Sequence, residues 1–175
     1  MKQLFIFQAG SVETSHTNDH AIVEIHHWKL FVDGAAKNNP GPAGAGFCML
    51  KDDEIILQDG YFLGIKTNNQ AEYLALLLGI FFLEPRYNNG DRVDIIADSE
   101  LLVRQINGIY KVKNPQLALL HACAYQDVHR LKAKVSHTLR HANKNADKMA
   151  NLGIETKIMP PQEFLTKLSR YEIYL

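Results

Sequence analysis

Apolar side chains recur along this chain with two periods, and the points where the period changes mark its elements. Residues 2–8 predict a short strand, and residues 9–21 read as a polar loop. Residues 22–35 read as extended, with Val23, Ile25, Leu30, Phe31 and Val32 supplying side chains that favour strands. Asn38-Asn39-Pro40-Gly41-Pro42 is a turn signal. Strands follow at 44–51 and 54–63, separated by the acidic turn Asp52-Asp53-Glu54. Three strands joined by short turns predict an antiparallel meander. The period then switches. Ala71, Leu74, Ala75 and Leu78 fall at helical spacing over 69–83, and Leu77, Ile80 and Phe81 widen the stripe. Pro85 stops that helix.

Asn88-Asn89-Gly90-Asp91 turns the chain into a strand at 92–98. Ser99 caps a helix at 100–107. A helix at 115–131, a strand at 133–139 and a helix at 143–155 follow. Pro160-Pro161 breaks the chain before a short helix at 162–170. Past the opening segment the order β-β-β-α-β-α-α-β-α predicts one α/β domain, a mixed sheet flanked by helices. No internal repeat or interdomain linker interrupts it.

Composition adjusts this picture only slightly. The 175 residues can bury a substantial core, and 46% hydrophobic with 22% charged residues is an ordinary globular balance. A formal net charge of zero argues against a large non-specific nucleic-acid footprint, though not against phosphates met by cations and helix termini. Cys48 and Cys123 form no metal or redox motif, which suggests a reduced, cytoplasmic setting. The apolar run Leu4 to Phe7 is too short for a signal peptide. The stretch from Ala71 to Leu83, interrupted by Glu72, is too short for a membrane span.

Four acids stand out against this background. Asp33 ends an apolar strand before Gly34, and Asp98 ends another before Ser99. Glu72 is placed near the start of the first long helix, and Asp147 just inside the last. Each alone has a bland reading as a turn or helix-start residue. Together, two strand ends and two helix starts can converge at one sheet edge. Carboxylates gathered there repel one another unless cations lie between them. An all-oxygen site of this kind suits Mg²⁺ or Mn²⁺.

The segments around these acids resemble known motifs. Asp33-Gly34-Ala35-Ala36-Lys37-Asn38-Asn39-Pro40-Gly41, Thr67-Asn68-Asn69-Gln70-Ala71-Glu72, Ala97-Asp98-Ser99 and Asn143-Lys144-Asn145-Ala146-Asp147 resemble, in that order, four motifs of the type 1 ribonucleases H. They span 33–152, over two thirds of the chain, and the set is far more specific than any member of it. The resemblance implies a ribonuclease H-like fold with a mixed five-stranded sheet, an antiparallel meander followed by parallel strands. It implies endonucleolytic hydrolysis of the RNA strand of an RNA–DNA hybrid, with two Mg²⁺ or Mn²⁺ ions bound alongside substrate. It assigns Asp33 to bridge the ions, Asp147 to the water-activating site, and Glu72 and Asp98 to the leaving-group site. Glu72 is also assigned to the ribose 2′-hydroxyl that separates RNA from DNA.

The resemblance extends to Asn39, Asn68 and Glu100 at the hybrid's minor groove, and to Thr67 and Asn69 around a phosphate of the DNA strand. Capping of the first helix is the competing reading for Thr67, Asn68 and Asn69. Many relatives carry Gln where this chain has Glu100, and an ionised Glu can only accept hydrogen bonds. Asn143 reads as the cap of the last helix. The family often has a mobile His before that helix. His137 and His141 are the auxiliary candidates here, and Arg140 resembles the Arg usual in loop-deficient relatives. The basic protrusion of some relatives shrinks to 108–115, with Lys111 and Lys113.

Adjacent strand residues point to opposite faces, so His26 and His27 do not share an ion. Trp28 reads as core. The expected division is an extension at 1–27, the ribonuclease H-like domain at 28–156 and a tail at 157–175. Two alternatives stay open: a related-fold metal nuclease such as a junction resolvase, and a non-catalytic hybrid-binding domain. The first strand lacks the Asp-x-Glu of related exonucleases, having Ala35 in the third position.

Overall fold

The computed structural model describes residues 24–175. The expected strand at 2–8 and loop at 9–21 lie outside them. Five strands form one sheet: β1 (His27–Ala36), β2 (Gly41–Lys51), β3 (Glu54–Lys66), β4 (Arg92–Ala97) and β5 (Lys134–His137). Their spatial order is β3-β2-β1-β4-β5. β1, β2 and β3 pair antiparallel, and β4 and β5 add in parallel beside β1. The helices are α1 (Asn68–Leu83), α2 (Glu100–Ile106), α3 (Pro115–Arg130), α4 (Lys144–Thr156) and α5 (Gln162–Ser169). This is the mixed five-stranded architecture expected from the sequence.

Side-chain alternation assigns the two faces. Leu30 and Val32 on β1 pair with Met49 and Phe47 on β2 and with Ile95 and Ala97 on β4. All six are buried and form the core under α1. α1 is buried almost all round because α3 covers its outer side. Gly44 and Gly46 point to the opposite face, where α4 lies. A Cβ at Gly46 would sit 2.2 Å from the Ala150 nitrogen and 2.3 Å from the Ala146 oxygen. That missing Cβ lets α4 rest directly on the strand.

Boundaries differ from expectation at the strand ends. β2 starts at Gly41 because Gly41 pairs with Lys66, and this lengthens β3 to match. β5 stops at His137, and Arg140–Ala142 form a 3-10 turn. Residues 157–175, expected as a tail, pack against the body of the domain. Phe164 and Leu168 of α5 are fully buried in the main core, and Phe164 meets Phe81 edge to face at 5.5 Å. Lys167 bonds Asp127 at 2.8 Å and Glu84 at 3.0 Å. Trp28 is core, as expected, with its indole N–H donating to Asp91 at 2.9 Å. His26 bonds Asp52 and His27 bonds Asp94, separate partners for the two adjacent imidazoles.

Candidate active site

The sheet brings β1 and β4 side by side in parallel, with Val32 paired to Ala97. β4 ends at Ala97 and Asp98 follows it, whereas Asp33 is the next residue of β1 after Val32 and lies inside that strand, three residues short of its end. The two acids therefore emerge side by side. α1 crosses close to β1 at that point. Gly34 makes this approach possible, since a Cβ there would lie 2.2 Å from both the Ala71 carbon and the Glu72 nitrogen. Glu72 thereby reaches the strand, and its Oε2 accepts from the Gly34 N–H at 3.2 Å. Carboxylate oxygens of Asp33, Glu72 and Asp98 lie within 4.8 Å of one another. Glu72 sits in the second turn of α1, one turn deeper than a helix-start residue, because Thr67 is the cap.

Asp33 and Glu72 are both buried, each 5% exposed. Burial, followed by the charge of Asp98, pushes the Asp33 carboxyl up to about 8. Burial, then the charges of Asp33 and Asp98, raises Glu72 well above the usual carboxylate range. Desolvated carboxylates at this separation favour protons or cations over mutual ionisation. Three hard oxygen donors crowded at one edge fit a divalent ion such as Mg²⁺ or Mn²⁺.

Asp147 stands beside this triangle, in the first turn of α4. Its charge adds to the upward push on Asp33, so it shares the same field. Arg140 holds it, with the guanidinium 2.7 Å from Oδ1. Arg140 is exposed, and it also draws Asp33 and Glu72 slightly downward.

Asn143 is placed differently from expectation. It occupies the N-cap position of α4, but its side chain makes no capping bond. Instead it is 1% exposed, and its Nδ2 donates to the Val32 carbonyl at 2.9 Å. Asn143 thus pins the start of α4 to β1, one residue before Asp33. The sequence signalled an Asn before a helix. It did not signal that the amide nitrogen would turn to a distant backbone carbonyl while the amide oxygen caps nothing.

The turn after β1 and the start of α1 carry further expected residues. Thr67 caps α1 through a capping box with Gln70. Asn39 Oδ1 accepts from the Asn68 N–H at 3.0 Å, tying the turn after β1 to α1. Asn68 and Asn69 are exposed. Glu100 starts α2 and is paired with Arg104 at 2.7 Å. His137 and His141 are exposed. Among the described residues, Arg140 is the cation paired with one of the four acids, Asp147. Lys111 and Lys113 lie on an exposed turn.

The family model for reverse transcriptase-like domains matches residues 31–153. Ribonuclease HI of Halobacterium salinarum is 32% identical over 128 residues, covering 71% of this chain and 63% of that protein. Ribonuclease H of Desulforamulus reducens is 31% identical over 139 residues, covering 69% and 83%. LC11-RNase H1, solved in complex with an RNA/DNA hybrid, matches with a TM-score of 0.70 at 31% identity, over 74% of this chain and 97% of that one. The chain spans less than two thirds of the Halobacterium protein, and 33% of the mycobacterial proteins it also matches. With the sheet order and the acids at its edge, these likenesses show that the chain belongs to the type 1 ribonuclease H family.

Proposed function

We propose that the protein is a metal-dependent endoribonuclease that hydrolyses the RNA strand of RNA–DNA hybrids. The observation that carries this reading is the oxygen triangle of Asp33, Glu72 and Asp98, two of its members buried. Its raised proton affinity is electrostatic stress that bound cations would relieve. Asp33, within reach of both Asp98 and the field of Asp147, is the ligand suited to serve two Mg²⁺ or Mn²⁺ ions. Glu72 and Asp98 would hold one, and Asp147 the other. Two such ions, when bound, supply an activated water and charge stabilisation at the leaving oxygen.

The chain's own groups do the rest. The Gly34 N–H fixes the Glu72 carboxylate, leaving its other oxygen for a cation or a ribose 2′-hydroxyl. Arg140 keeps Asp147 neutralised and would yield it when a cation arrives. Asn143 sets the distance between α4 and β1. Asn39, Asn68 and Asn69 offer exposed amides beside the cluster for the minor groove, and Thr67 with Asn69 a place for a DNA-strand phosphate. The structure of LC11-RNase H1 with an RNA/DNA hybrid supports hybrid as the substrate class. No helix among the described residues is long and apolar enough to cross a membrane. Cys48 and Cys123 are free and buried, which suits a cytoplasmic setting.

The test uses labelled RNA–DNA hybrid, double-stranded RNA, double-stranded DNA and a four-way junction, each with Mg²⁺, Mn²⁺ or chelator. Cutting confined to the RNA strand of the hybrid, and abolished by chelator, supports the reading. Preference for the junction would favour a resolvase. Hybrid binding without cutting would favour a binding domain.

A further inference from the structure

A cavity of about 370 Å³ opens beside the start of α1, between the first turns of α3 and the end of the chain. That volume suits a small ligand. Part of its wall, Glu172 and Tyr174, lies beyond the family match, which ends at residue 153. Lys66, the last residue of β3, lines the cavity. Burial draws its ammonium below the usual lysine range, and no carboxylate among the described residues offsets this. A half-buried cation without a counter-ion fits an incoming anion. Gln70 is held by the cap of α1, its Oε1 accepting from the Thr67 N–H at 2.9 Å. Its Nε2 donates to Gln116 Oε1 at 3.1 Å. The Gln116 NH₂ is thereby left without an acceptor among the described residues. Leu119 and Tyr174 are 44% and 71% exposed where the cavity meets solvent.

A lone cation, an amide donor and an exposed ring are the parts that hold a nucleotide whose base is unpaired. Glu172 in the same wall repels a bare phosphate, yet it can accept from an amino group on a base. Position supplies the source of the nucleotide. Lys66 and Gln70 flank Thr67 and Asn69, where a phosphate of the DNA strand is proposed to sit. We propose that this cavity holds one unpaired deoxynucleotide at the end of the hybrid's DNA strand, with Lys66 on its phosphate, Tyr174 stacked on its base and Gln116 at the base edge. The enzyme then seats at junctions between hybrid and single-stranded DNA, and cuts the RNA at a fixed distance from them. This rests on the hybrid-nuclease reading above and extends it to the ends of hybrids.

Fluorescence anisotropy of labelled hybrids in chelator reads binding whether or not cutting occurs. A blunt hybrid is compared with hybrids of the same sequence carrying one unpaired deoxyadenosine, or one abasic residue, at the 3′ or the 5′ end of the DNA strand. A strand passing the phosphate position runs in one direction, so only one of its ends can reach the cavity. The expected result is that deoxyadenosine at that end tightens binding about tenfold over blunt, the scale of one stacked base. The abasic residue should lose most of this gain. With Mg²⁺, cleavage should shift to one fixed distance from the overhang. Tyr174→Ala and Lys66→Ala should each bring the ratio of overhang to blunt affinity close to one, and Lys66→Arg should keep it high. The ratio is taken within each variant, so a general loss of folding or binding does not imitate the effect. No gain at either DNA end would overturn the proposal. So would a gain that the abasic residue matches, or one that survives Tyr174→Ala and Lys66→Ala. If the overhang hybrid is bound more tightly but never cut, the hybrid-nuclease reading fails while this one stands.

Discussion

Asp33→Asn should make the metal-free protein more stable at neutral pH, while removing its catalytic function. Asp33 is a buried carboxyl whose affinity for its proton is raised from 3.8 to about 8 by burial and by Asp98. The folded state therefore binds more protons than the unfolded chain between those two values. Stability must fall as pH rises through that window, because the slope follows protons bound unfolded minus protons bound folded. At pH 7 the unfolded carboxyl is ionised and the folded one mostly protonated. The difference amounts to about 4 kcal/mol against folding, at about 1.4 kcal/mol per pH unit over roughly three units. Glu72 and Asp98 share the field and take up part of that strain, so an observed gain of about 1–3 kcal/mol is expected for the neutral, isosteric amide. The assay is urea denaturation of both proteins in chelator at pH 4, 5.5, 7 and 8. The gap between variant and wild type should be smallest at pH 4 and widen toward pH 8. Millimolar Mg²⁺ should then stabilise the wild type more than the variant, since ligand that binds only the folded state raises its stability. A gap that is flat with pH, or that closes as pH rises, would refute this electrostatic picture.

Other perturbations probe how the site is built. Gly34→Ala should depress both stability and cleavage, by more than about 1 kcal/mol in unfolding free energy, because its Cβ would strike the Ala71–Glu72 backbone; chemical denaturation and the cleavage assay check it. Asn143→Ala should cost about 1–3 kcal/mol by leaving the buried Val32 carbonyl unpaired, and should slow cleavage by loosening α4 and Asp147, read from denaturation and kcat. Phe164→Ala should cost about 3–5 kcal/mol, because this side chain from beyond the family match is fully buried in the main core. An unfolding midpoint unchanged from wild type would show that α5 is dispensable.

Much of this was legible in the chain. Strand and helix periods located the five sheet strands and the five α-helices, with β1 (His27–Ala36, expected over 22–35) differing most at its start, while the 3-10 turns at Glu84–Arg86 and Arg140–Ala142 carried no periodic signal. The Asp-Gly, Asp-Ser and Asn-Asn-Pro-Gly signals located the edge where the acids gather. What was not legible depends on long-range partners. Asn143 resembles a cap in sequence, yet a carbonyl from β1 claims its amide. Glu72 is buried by the close approach that Gly34 permits, and a glycine's function of this kind depends on what crosses it. α5 was visible as a short helix. That Phe164 enters the core and Lys167 bridges Asp127 and Glu84 follows only once α1 and α3 are in place beside it.

In the proposed reaction the acid cluster, loaded with divalent cations, cuts the RNA strand of a hybrid. The most direct measurement places a single deoxyribose in the RNA strand of an otherwise uniform hybrid and maps cleavage with Mg²⁺ and with Mn²⁺. Cutting should be sharply slowed at the phosphate whose neighbouring 2′-hydroxyl is missing, continue several nucleotides away, and stop in chelator or with Asp33→Asn. Unchanged cutting at the deoxyribose position, cutting that survives chelator, or equal cutting of double-stranded DNA would contradict it.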